Sequence, residues 1–155
     1  MQKNNAKREK AFLVAIILKG TSRSQIDAQL NELKFLASTA GADTLSTATQ
    51  IRHKPDAATF IGKGKLDQII NQAAELECDL IIFNDDISPT QIKNLQNIAG
   101  EELKVIDRTG LILDIFTKHA KTKEAKTQVE LAQLEYFLPR LTRQWTHLER
   151  QMGGV

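Results

Sequence analysis

The sequence contains only one cysteine and no long apolar run, and both features limit the classes of protein to which it can belong. Cys78 is the only cysteine among the 155 residues, so no intrachain disulfide can form. This is consistent with a protein of the reducing cytosol. The longest apolar run, residues 11–18, is far shorter than the about 20 residues of a membrane span. Lys19 ends that run with no cleavage site after it, which argues against a signal peptide. We therefore expect a cytoplasmic protein without a membrane span.

The sequence also lacks the residue patterns of common catalytic and metal sites. The three histidines, His53, His119 and His147, are scattered and do not have metal-ligand spacing. No nucleophile, base and orienting group form a recognisable constellation. The P-loop pattern, Gly, four residues, then Gly-Lys-Ser/Thr, occurs nowhere in the chain. We therefore expect that this chain is not an enzyme, and we assign it no catalytic or metal-binding residue.

Charge is unevenly distributed along the chain. The net charge is +3 over residues 1–10, −4 over residues 11–117 and +3 over residues 118–155, which gives +2 in total. Basic ends on a mildly acidic body are a weak indication of a polyanionic partner, and many proteins have such ends without one. The polar residues 1–10 are predicted to form a disordered basic tail.

Residues 11–120 alternate between strand and helix patterns. Buried strands are predicted at 12–18, 79–84 and 103–106, and a less buried, threonine-rich strand at 43–52. The helix that follows the first strand is predicted to have its N-cap at Ser24, with Asp27 at N3. Alternating strands and helices favour right-handed βαβ units, so we predict an α/β domain with a four-stranded, mostly parallel sheet flanked by helices.

A short segment between the second strand and the next helix has the most distinctive local pattern. It alternates two glycines with two lysines: Gly62, Lys63, Gly64 and Lys65. Glycines allow a ligand to approach the backbone, and a helix N-terminus offers unpaired N–H groups and partial positive charge. The segment thus suits a phosphate of a nucleotide or of an RNA backbone. A helix start at Leu66 with solvated lysines explains the same residues equally well.

Two further polar clusters, residues 84–94 and 107–109, follow predicted strands. In parallel sheets, ligands bind beyond the carboxyl ends of the strands. We therefore expect both clusters to share one edge of the sheet with the glycines and lysines at 62–65. The candidate contacts for phosphate or RNA in these clusters are Asn94 and Arg108, with Asp85, Asp86, Ser88, Gln91 and Thr109 as weaker candidates.

Most of these candidates also have an ordinary structural interpretation. Ser88 and Gln91 fit a capping box at the start of a helix. Asp85 and Asp86 either hold Mg²⁺ beside a nucleotide or form a solvated turn at a strand end. Arg108 either binds phosphate or pairs with the aspartate that precedes it in the sequence.

Residues 121–155 are predicted to form a long helical arm. Apolar residues recur at spacings of three and four from Leu131 to Met152, which is a heptad seam of three repeats. Pro139 lies inside the seam and is expected to kink or divide the helix. Because a seam needs a partner, we expect the first arm of an antiparallel hairpin whose mate lies beyond Val155. The open seam also predicts self-association through residues 131–152.

Five segments occur in an order that is typical of one protein family. They are FIGKGKL at 60–66, FNDDISPTQ with NL at 83–95, VIDRTGLILDIF at 105–116, QVELAQL at 128–134 and WTHLERQMGG at 145–154. Together they resemble the N-terminal region of the HflX family of ribosome-associated GTPases. The resemblance covers residues 55–154, whereas residues 1–54 fit by pattern only.

The resemblance implies an α/β N-domain at 11–120 and a helical arm at 121–155, with the G domain of the family absent from the chain. It implies a GTP-hydrolysing parent that uses GTP and Mg²⁺, with no cofactor in this chain itself beyond ATP binding reported for some N-terminal regions. It further implies that the partners are the large ribosomal subunit, its RNA and the parent's own G domain, and that stalled ribosomes are split under stress.

Three hypotheses for the chain stay open at this point. The first is an RNA-binding and ribosome-binding module, which would be cytoplasmic and ribosome-associated. The second is a nucleotide-binding domain that controls the arm and that loses ATP or GTP when Lys63 or Lys65 is replaced. The third is a scaffold whose chemistry lies entirely in the missing G domain.

Overall fold

The computed structural model describes residues 7–141, whose centre is a four-stranded sheet. The strands are β1 (Glu9–Leu18), β2 (Ala42–Arg52), β3 (Leu80–Phe83) and β4 (Lys104–Asp107). They lie in the order β2-β1-β3-β4, and all three neighbouring pairs are parallel. The predicted α/β fold with a parallel sheet of four strands is therefore confirmed.

Helices cover both faces of the sheet. They are α1 (Arg23–Thr39), α2 (Lys63–Glu75), α3 (Pro89–Ala99), α4 (Arg108–His119) and α5 (Lys123–Phe137), and a 3-10 turn (Leu138–Arg140) follows α5. No helix within residues 7–141 is long and apolar enough to cross a membrane.

The buried side chains form two hydrophobic clusters, one on each face of the sheet. Helices α2 and α3 contribute Leu66 and Ile92 to the first cluster, and α1 and α4 contribute Leu30 and Leu111 to the second. Because side chains alternate along a strand, β1 supplies residues to both clusters. Residues 11–17 are therefore all buried, as expected of a strand that is covered on both faces.

Two boundaries near the N-terminus differ from the prediction. Strand β1 begins at Glu9, so the predicted tail of ten residues is too long. The backbone N–H of Lys10 donates to Asp79 at 2.8 Å, which fixes this end of the strand to the turn before β3. Helix α1 is capped by Ser22 in a capping box with Gln25, not by Ser24. The capping pattern was present two residues earlier in the sequence than we predicted.

The described part of the predicted arm is helix α5, which packs against α4. It ends at Phe137, and Pro139 lies in the 3-10 turn that follows, so the helix is interrupted at the proline as predicted. Leu131, Leu134 and Leu138 of the predicted seam are 58%, 43% and 59% exposed. The remainder of the seam, from residue 142 onward, lies outside the described residues.

Candidate functional site

The glycines and lysines at 62–65 form the N-terminal end of helix α2. Gly62 is the N-cap residue and Lys63 begins the helix, three residues earlier than the start predicted at Leu66. No side chain caps this end, and its first turn has no acidic residue. Within residues 7–141, no partner binds the first N–H groups or the ammonium groups of Lys63 and Lys65. The other four helices in this range have side-chain caps: Ser22, Ser88, Asp107 and Thr122.

The two glycines of this turn have different surroundings. The N–H of Gly62 donates to the side-chain oxygen of Gln50 on β2 at 2.9 Å. A Cβ at position 62 would lie 3.1 Å from Gln50 and 3.2 Å from Arg52, so a side chain would push the turn away from β2. At Gly64, by contrast, no atom lies within 4 Å of the Cβ position. A side chain at position 62 is therefore crowded by Gln50 and Arg52, whereas one at position 64 would meet no neighbour outside its own helix.

The loop that leads into Gly62 is held by its own hydrogen bonds and by helix α3. The carboxylate of Asp56 accepts the N–H groups of Ala58 and Thr59 at 2.8 and 2.9 Å, and these bonds lower the pKa of Asp56. Gln91 donates to the carbonyl of Asp56 at 2.8 Å, and Asn94 donates to the carbonyl of Ala58 at 2.9 Å. Gln91 and Asn94 thus support the loop through their side chains.

Ser88 and Gln91 form the capping box that the sequence predicted. Ser88 accepts the N–H of Gln91 at 3.2 Å, and the oxygen of the Gln91 side chain accepts the N–H of Ser88 at 3.1 Å. Its amide nitrogen is the group that reaches Asp56, so the whole side chain of Gln91 is engaged. Ser88 and Gln91 therefore have complete structural roles.

Next to the turn, Phe60 has a left-handed backbone with a φ of 65°. This conformation is uncommon for a bulky residue and persists only where the surroundings enforce it. The ring is 4% exposed and packs edge-on against Phe83 at the end of β3, with 5.9 Å between centroids. The segment that leads into α2 is thus attached to the core next to the exposed Lys63 and the half-buried Lys65.

Arg108, at the start of α4, pairs with α1 rather than with its neighbour in sequence. Its guanidinium lies 2.7 Å from a carboxylate oxygen of Glu32 and donates to Asn84 at 3.0 Å. The proposed pairing with Asp107 is therefore wrong, because Asp107 points into the protein and is fully buried. A phosphate would have to replace Glu32, which makes Arg108 a weaker candidate than the sequence indicated.

Asp107 is the central acceptor at the end of β4. One carboxylate oxygen accepts the N–H of Gly110 at 2.9 Å and caps α4, and the same oxygen accepts the hydroxyl of Tyr136 from α5. The other oxygen accepts the N–H of Ile87 at 2.9 Å. Burial and the nearby Asp107 raise the pKa of Tyr136, so the phenol stays protonated and remains a donor.

Arg140 completes this contact between the arm and the sheet. Its guanidinium lies 4.0 Å from the centre of the Tyr136 ring and donates to the carbonyl of Tyr136 at 2.7 Å. It also donates to the carbonyl of Ile87 at 3.2 Å. We did not identify Asp107, Tyr136 or Arg140 from the sequence, although an aspartate between a strand and a helix is a common N-cap signal.

Asp85 and Asp86 follow β3 and have different environments. Asp86 accepts the hydroxyl of Thr109 at 2.6 Å, whereas one carboxylate oxygen of Asp85 is buried without a partner within residues 7–141. Burial, with a smaller contribution from Asp86, raises the pKa of Asp85. No group of three or more His, Cys, Asp or Glu side chains in the described range could hold a metal ion. The geometry therefore gives no support to a magnesium site at this pair.

The structure brings two of the three predicted clusters into direct contact. Residues 84–87 and 107–109 are joined by the bonds from Arg108 to Asn84 and from Thr109 to Asp86. The turn at 62–65 lies at the end of β2, where Gly62 is bonded to Gln50. The loop before the turn is held by Gln91 and Asn94 of α3 and by the packing of Phe60 on Phe83. The carboxyl edge of the sheet thus has one open cationic position, at the start of α2, and one closed polar network.

The matching family models and related sequences together cover the whole chain. Residues 27–117 match the family model described as GTP-binding GTPase N-terminal, and residues 119–155 match GTP-binding GTPase Middle Region. The GTPase HflX of Flavobacterium psychrophilum is 42% identical over 155 residues, which are 100% of this chain and 37% of that protein. The GTPase HflX of Escherichia coli is 45% identical over 126 residues, 81% of this chain and 29% of that protein. The chain spans about a third of the length of these relatives.

Solved structures share the fold. A crystal structure of SsGBP in complex with GDP has a TM-score of 0.64 and 28% identity, and the match covers 94% of this chain and 41% of that one. A GTP-binding protein from Sulfolobus solfataricus, also in complex with GDP, has a TM-score of 0.59 and 26% identity over 92% of this chain and 42% of that one.

Proposed function

The chain belongs to the HflX family of GTPases, as its N-terminal domain and part of the middle region, and from this we propose that it contacts RNA of the large ribosomal subunit. In the whole protein, of which the chain corresponds to about a third, it acts beside a G domain that hydrolyses GTP with Mg²⁺. The parent is a cytoplasmic, ribosome-associated factor that splits stalled ribosomes, including under stress.

The observation that carries the RNA-binding proposal is the uncapped start of α2. Three N–H groups without acceptors and two lysines without partners within residues 7–141 lie together at the positive end of a helix dipole. Such a position binds phosphate through the backbone and through charge at the same time. Because the other helix starts in this range already have side-chain acceptors, α2 offers the strongest position for an added anion.

The openness of the position favours a polynucleotide backbone over a free nucleotide. Gly64 is exposed, and a Cβ there would meet no atom outside its own helix within 4 Å, so this side of the helix start is open to solvent. A nucleotide site usually has apolar walls that enclose the base. A cleft of about 500 Å³ does exist, but it lies at the opposite end of the sheet, where Glu9, Ala42 and Lys104 begin their strands, and residues 62–65 do not line it. The cationic turn therefore suits a ligand that brings many phosphates along an open surface.

Co-sedimentation with purified large ribosomal subunits tests this proposal. The chain is mixed with subunits at low and moderate salt, beside a Lys63→Ala/Lys65→Ala variant and a Lys7→Ala/Lys34→Ala variant that removes the same charge from other exposed positions. We expect salt-sensitive binding that the first variant weakens and the second does not. Equal binding by all three proteins, or no binding at either salt, would contradict the proposal.

The same variants distinguish the nucleotide-binding alternative. If the chain binds ATP or GTP in equilibrium dialysis and the Lys63→Ala/Lys65→Ala variant does not, the turn is a nucleotide site that controls the arm. If the chain binds neither nucleotides nor subunits, it serves as a scaffold for the G domain of the parent.

A further inference from the structure

The cleft at the amino ends of the strands lies where the sheet, α4 and α5 meet. The sheet contributes Leu80 and Ile106 to its lining, α4 contributes Leu111, and α5 contributes Phe137. The α4 side belongs to the N-terminal region of the family and the α5 side to the Middle Region. Sites for small molecules occur preferentially at such junctions, with volumes of about 300–1,000 Å³, and the cleft of about 500 Å³ is within this range.

The interior of the cleft is apolar because core residues line it. Leu80, Ile106 and Leu111 belong to the hydrophobic cluster on the α1 and α4 face of the sheet. The segment after α1 contributes only residues 40–42, Ala-Gly-Ala, which project at most a methyl group into the space. Protein interiors are normally packed as closely as organic crystals, so a space of this size beside core side chains suits an apolar body.

Charged side chains surround this apolar interior. The cations are Lys7, Arg8, Lys104 and Lys118, and the anions are Glu9 and Asp114. Two of the cations already have partners: Arg8 lies 2.8 Å from Asp43, and Lys118 lies 2.9 Å from Asp114. Lys118 also donates to the carbonyl of Ala40 and so connects α4 to the loop after α1. These paired groups shape the cleft but leave no net charge for a ligand.

The other charged groups of the rim have no ion-pair partner within residues 7–141. They are the ammonium groups of Lys7 and Lys104 and the carboxylate of Glu9, which add to a charge of +1. Lys104 is the register partner of Leu80 in the parallel sheet, so both side chains project from the same face, towards the apolar interior. The side chain of Gln133 on α5 also lacks a hydrogen-bond partner in this range.

We propose that the cleft binds a small molecule with an apolar body and one carboxylate. The body packs on the core side chains, and the carboxylate pairs with Lys7 and Lys104 at the rim. A carboxylate matches the unpaired charge of +1, whereas a phosphate monoester carries about −1.5 to −2 at neutral pH. Because the ligand contacts both the sheet and α5, its binding holds the arm against the α/β domain and stabilises the folded chain.

Two other occupants match the charge of the cleft less well. A nucleoside triphosphate brings several negative charges, but the rim offers two unpaired cations beside one unpaired anion. The remaining segments of the chain, residues 1–6 and 142–155, contain three basic residues and one acidic residue. They therefore supply positive charge to a rim that is already cationic, and a separate anion is the complementary ligand.

Isothermal titration calorimetry of the full chain tests the class of ligand. Decanoate is the probe, and decan-1-ol, acetate and ATP are titrated beside it. We expect one decanoate to bind per chain, and decanol and acetate to bind at least about tenfold more weakly, because the first lacks the charge and the second lacks the apolar body. No binding of decanoate, equal affinity for decanol, or tighter binding of ATP than of decanoate would overturn the proposal.

Matched variants test the location of the site. Lys104→Met removes one charge but keeps the length of the side chain, and Lys34→Met removes the same charge from an exposed position of α1. Gln133→Trp fills the α5 side of the cleft, and Gln128→Trp adds the same ring at an exposed position of α5. We expect Lys104→Met to bind decanoate about tenfold more weakly, Gln133→Trp to lose binding, and both controls to bind like wild type.

Thermal melts with and without decanoate check that each variant is folded. We expect decanoate to raise the melting temperature of wild type and of both controls, but not that of Gln133→Trp. If the tryptophan prevents folding, the affinity of Lys104→Met decides alone. Wild-type affinity for decanoate in a folded Gln133→Trp chain, or in Lys104→Met, would show that the molecule binds elsewhere and would contradict the proposed site.

Discussion

The hydroxyl of Tyr136 on α5 donates a hydrogen bond to the carboxylate of Asp107 at the end of β4, 29 residues earlier in the chain. The same carboxylate caps α4 and holds the loop after β3. Gly110 makes this contact possible, because a Cβ at that position would lie 3.2 Å from the Tyr136 ring. One buried carboxylate thus connects the arm, α4 and the carboxyl edge of the sheet.

Replacing Tyr136 with phenylalanine should weaken the attachment of the arm. The change keeps the ring and its contact with Arg140 but removes a hydrogen bond to an ionised acceptor. We expect the free energy of unfolding to fall by about 2 kcal/mol, measured by urea denaturation. Phe116→Tyr, which adds a hydroxyl to an exposed ring of α4, is the control and should change little. A Tyr136→Phe chain as stable as wild type would show that the bond contributes nothing.

Asp85 should make the protein less stable at neutral pH than at mildly acidic pH. Burial raises its pKa in the folded chain, so the ionised form carries a cost that disappears as the pH falls through the folded pKa towards the ordinary value of 3.8. We expect Asp85→Asn to gain about 1 kcal/mol at pH 7, since solvent screens part of the cost.

The pH dependence of this variant is the measurement. Urea denaturation of wild type and Asp85→Asn from pH 7 to pH 4 should show a gain that shrinks as the pH falls. Asp86→Asn, which disturbs the bond from Thr109, should give no such gain. A difference between Asp85→Asn and wild type that grows towards low pH would contradict the assignment.

The two glycines at the start of α2, Gly62 at the N-cap and Gly64 in the first turn, should respond oppositely to alanine. Gly64→Ala has free space and a helical position, so we expect it to raise the free energy of unfolding by about 0.5–1 kcal/mol. Gly62→Ala should lower it, because the new methyl group meets Gln50 and Arg52. Thermal melts of both variants check the pair. Equal effects would mean that the surroundings do not distinguish the two positions.

Gln96 should be among the most sensitive polar residues of the domain. A Gln96→Met change keeps the volume but leaves the carbonyl of Leu103 and the N–H of Val105 buried without partners. We expect a loss of about 3 kcal/mol in the free energy of unfolding, against a change within about 0.5 kcal/mol for Gln68→Met on the exposed side of α2. Similar losses in both variants would show that the bonds of Gln96 to Leu103 and Val105 do not stabilise the domain.

The local patterns of the sequence predicted the fold well because each one reports a physical requirement. The alternation of strands and helices required a parallel sheet, and Pro139 required the end of a helix. Ser88 and Gln91 were predicted correctly because a capping box spans only four residues. The turn at 62–65 was found for the same reason, although its helix starts earlier than the apolar spacing suggested.

Contacts between distant residues could not be predicted in this way. Arg108 pairs with Glu32, 76 residues away, rather than with the adjacent Asp107. Asn94 was a candidate for RNA because it had no local partner, yet it donates to the carbonyl of Ala58, 36 residues earlier. The connection from Asp107 to Tyr136 likewise depends on how α5 packs, which no local spacing encodes.

The salt dependence of binding to large ribosomal subunits tests the central claim most directly. The association constants of wild type and of Lys63→Ala/Lys65→Ala are measured across a series of salt concentrations and plotted on logarithmic axes. If both lysines contact phosphate, the slope of the variant should be smaller by about 1.4 to 1.8, because two fewer counterions are released. Parallel lines with equal slopes would show that the start of α2 does not contact RNA.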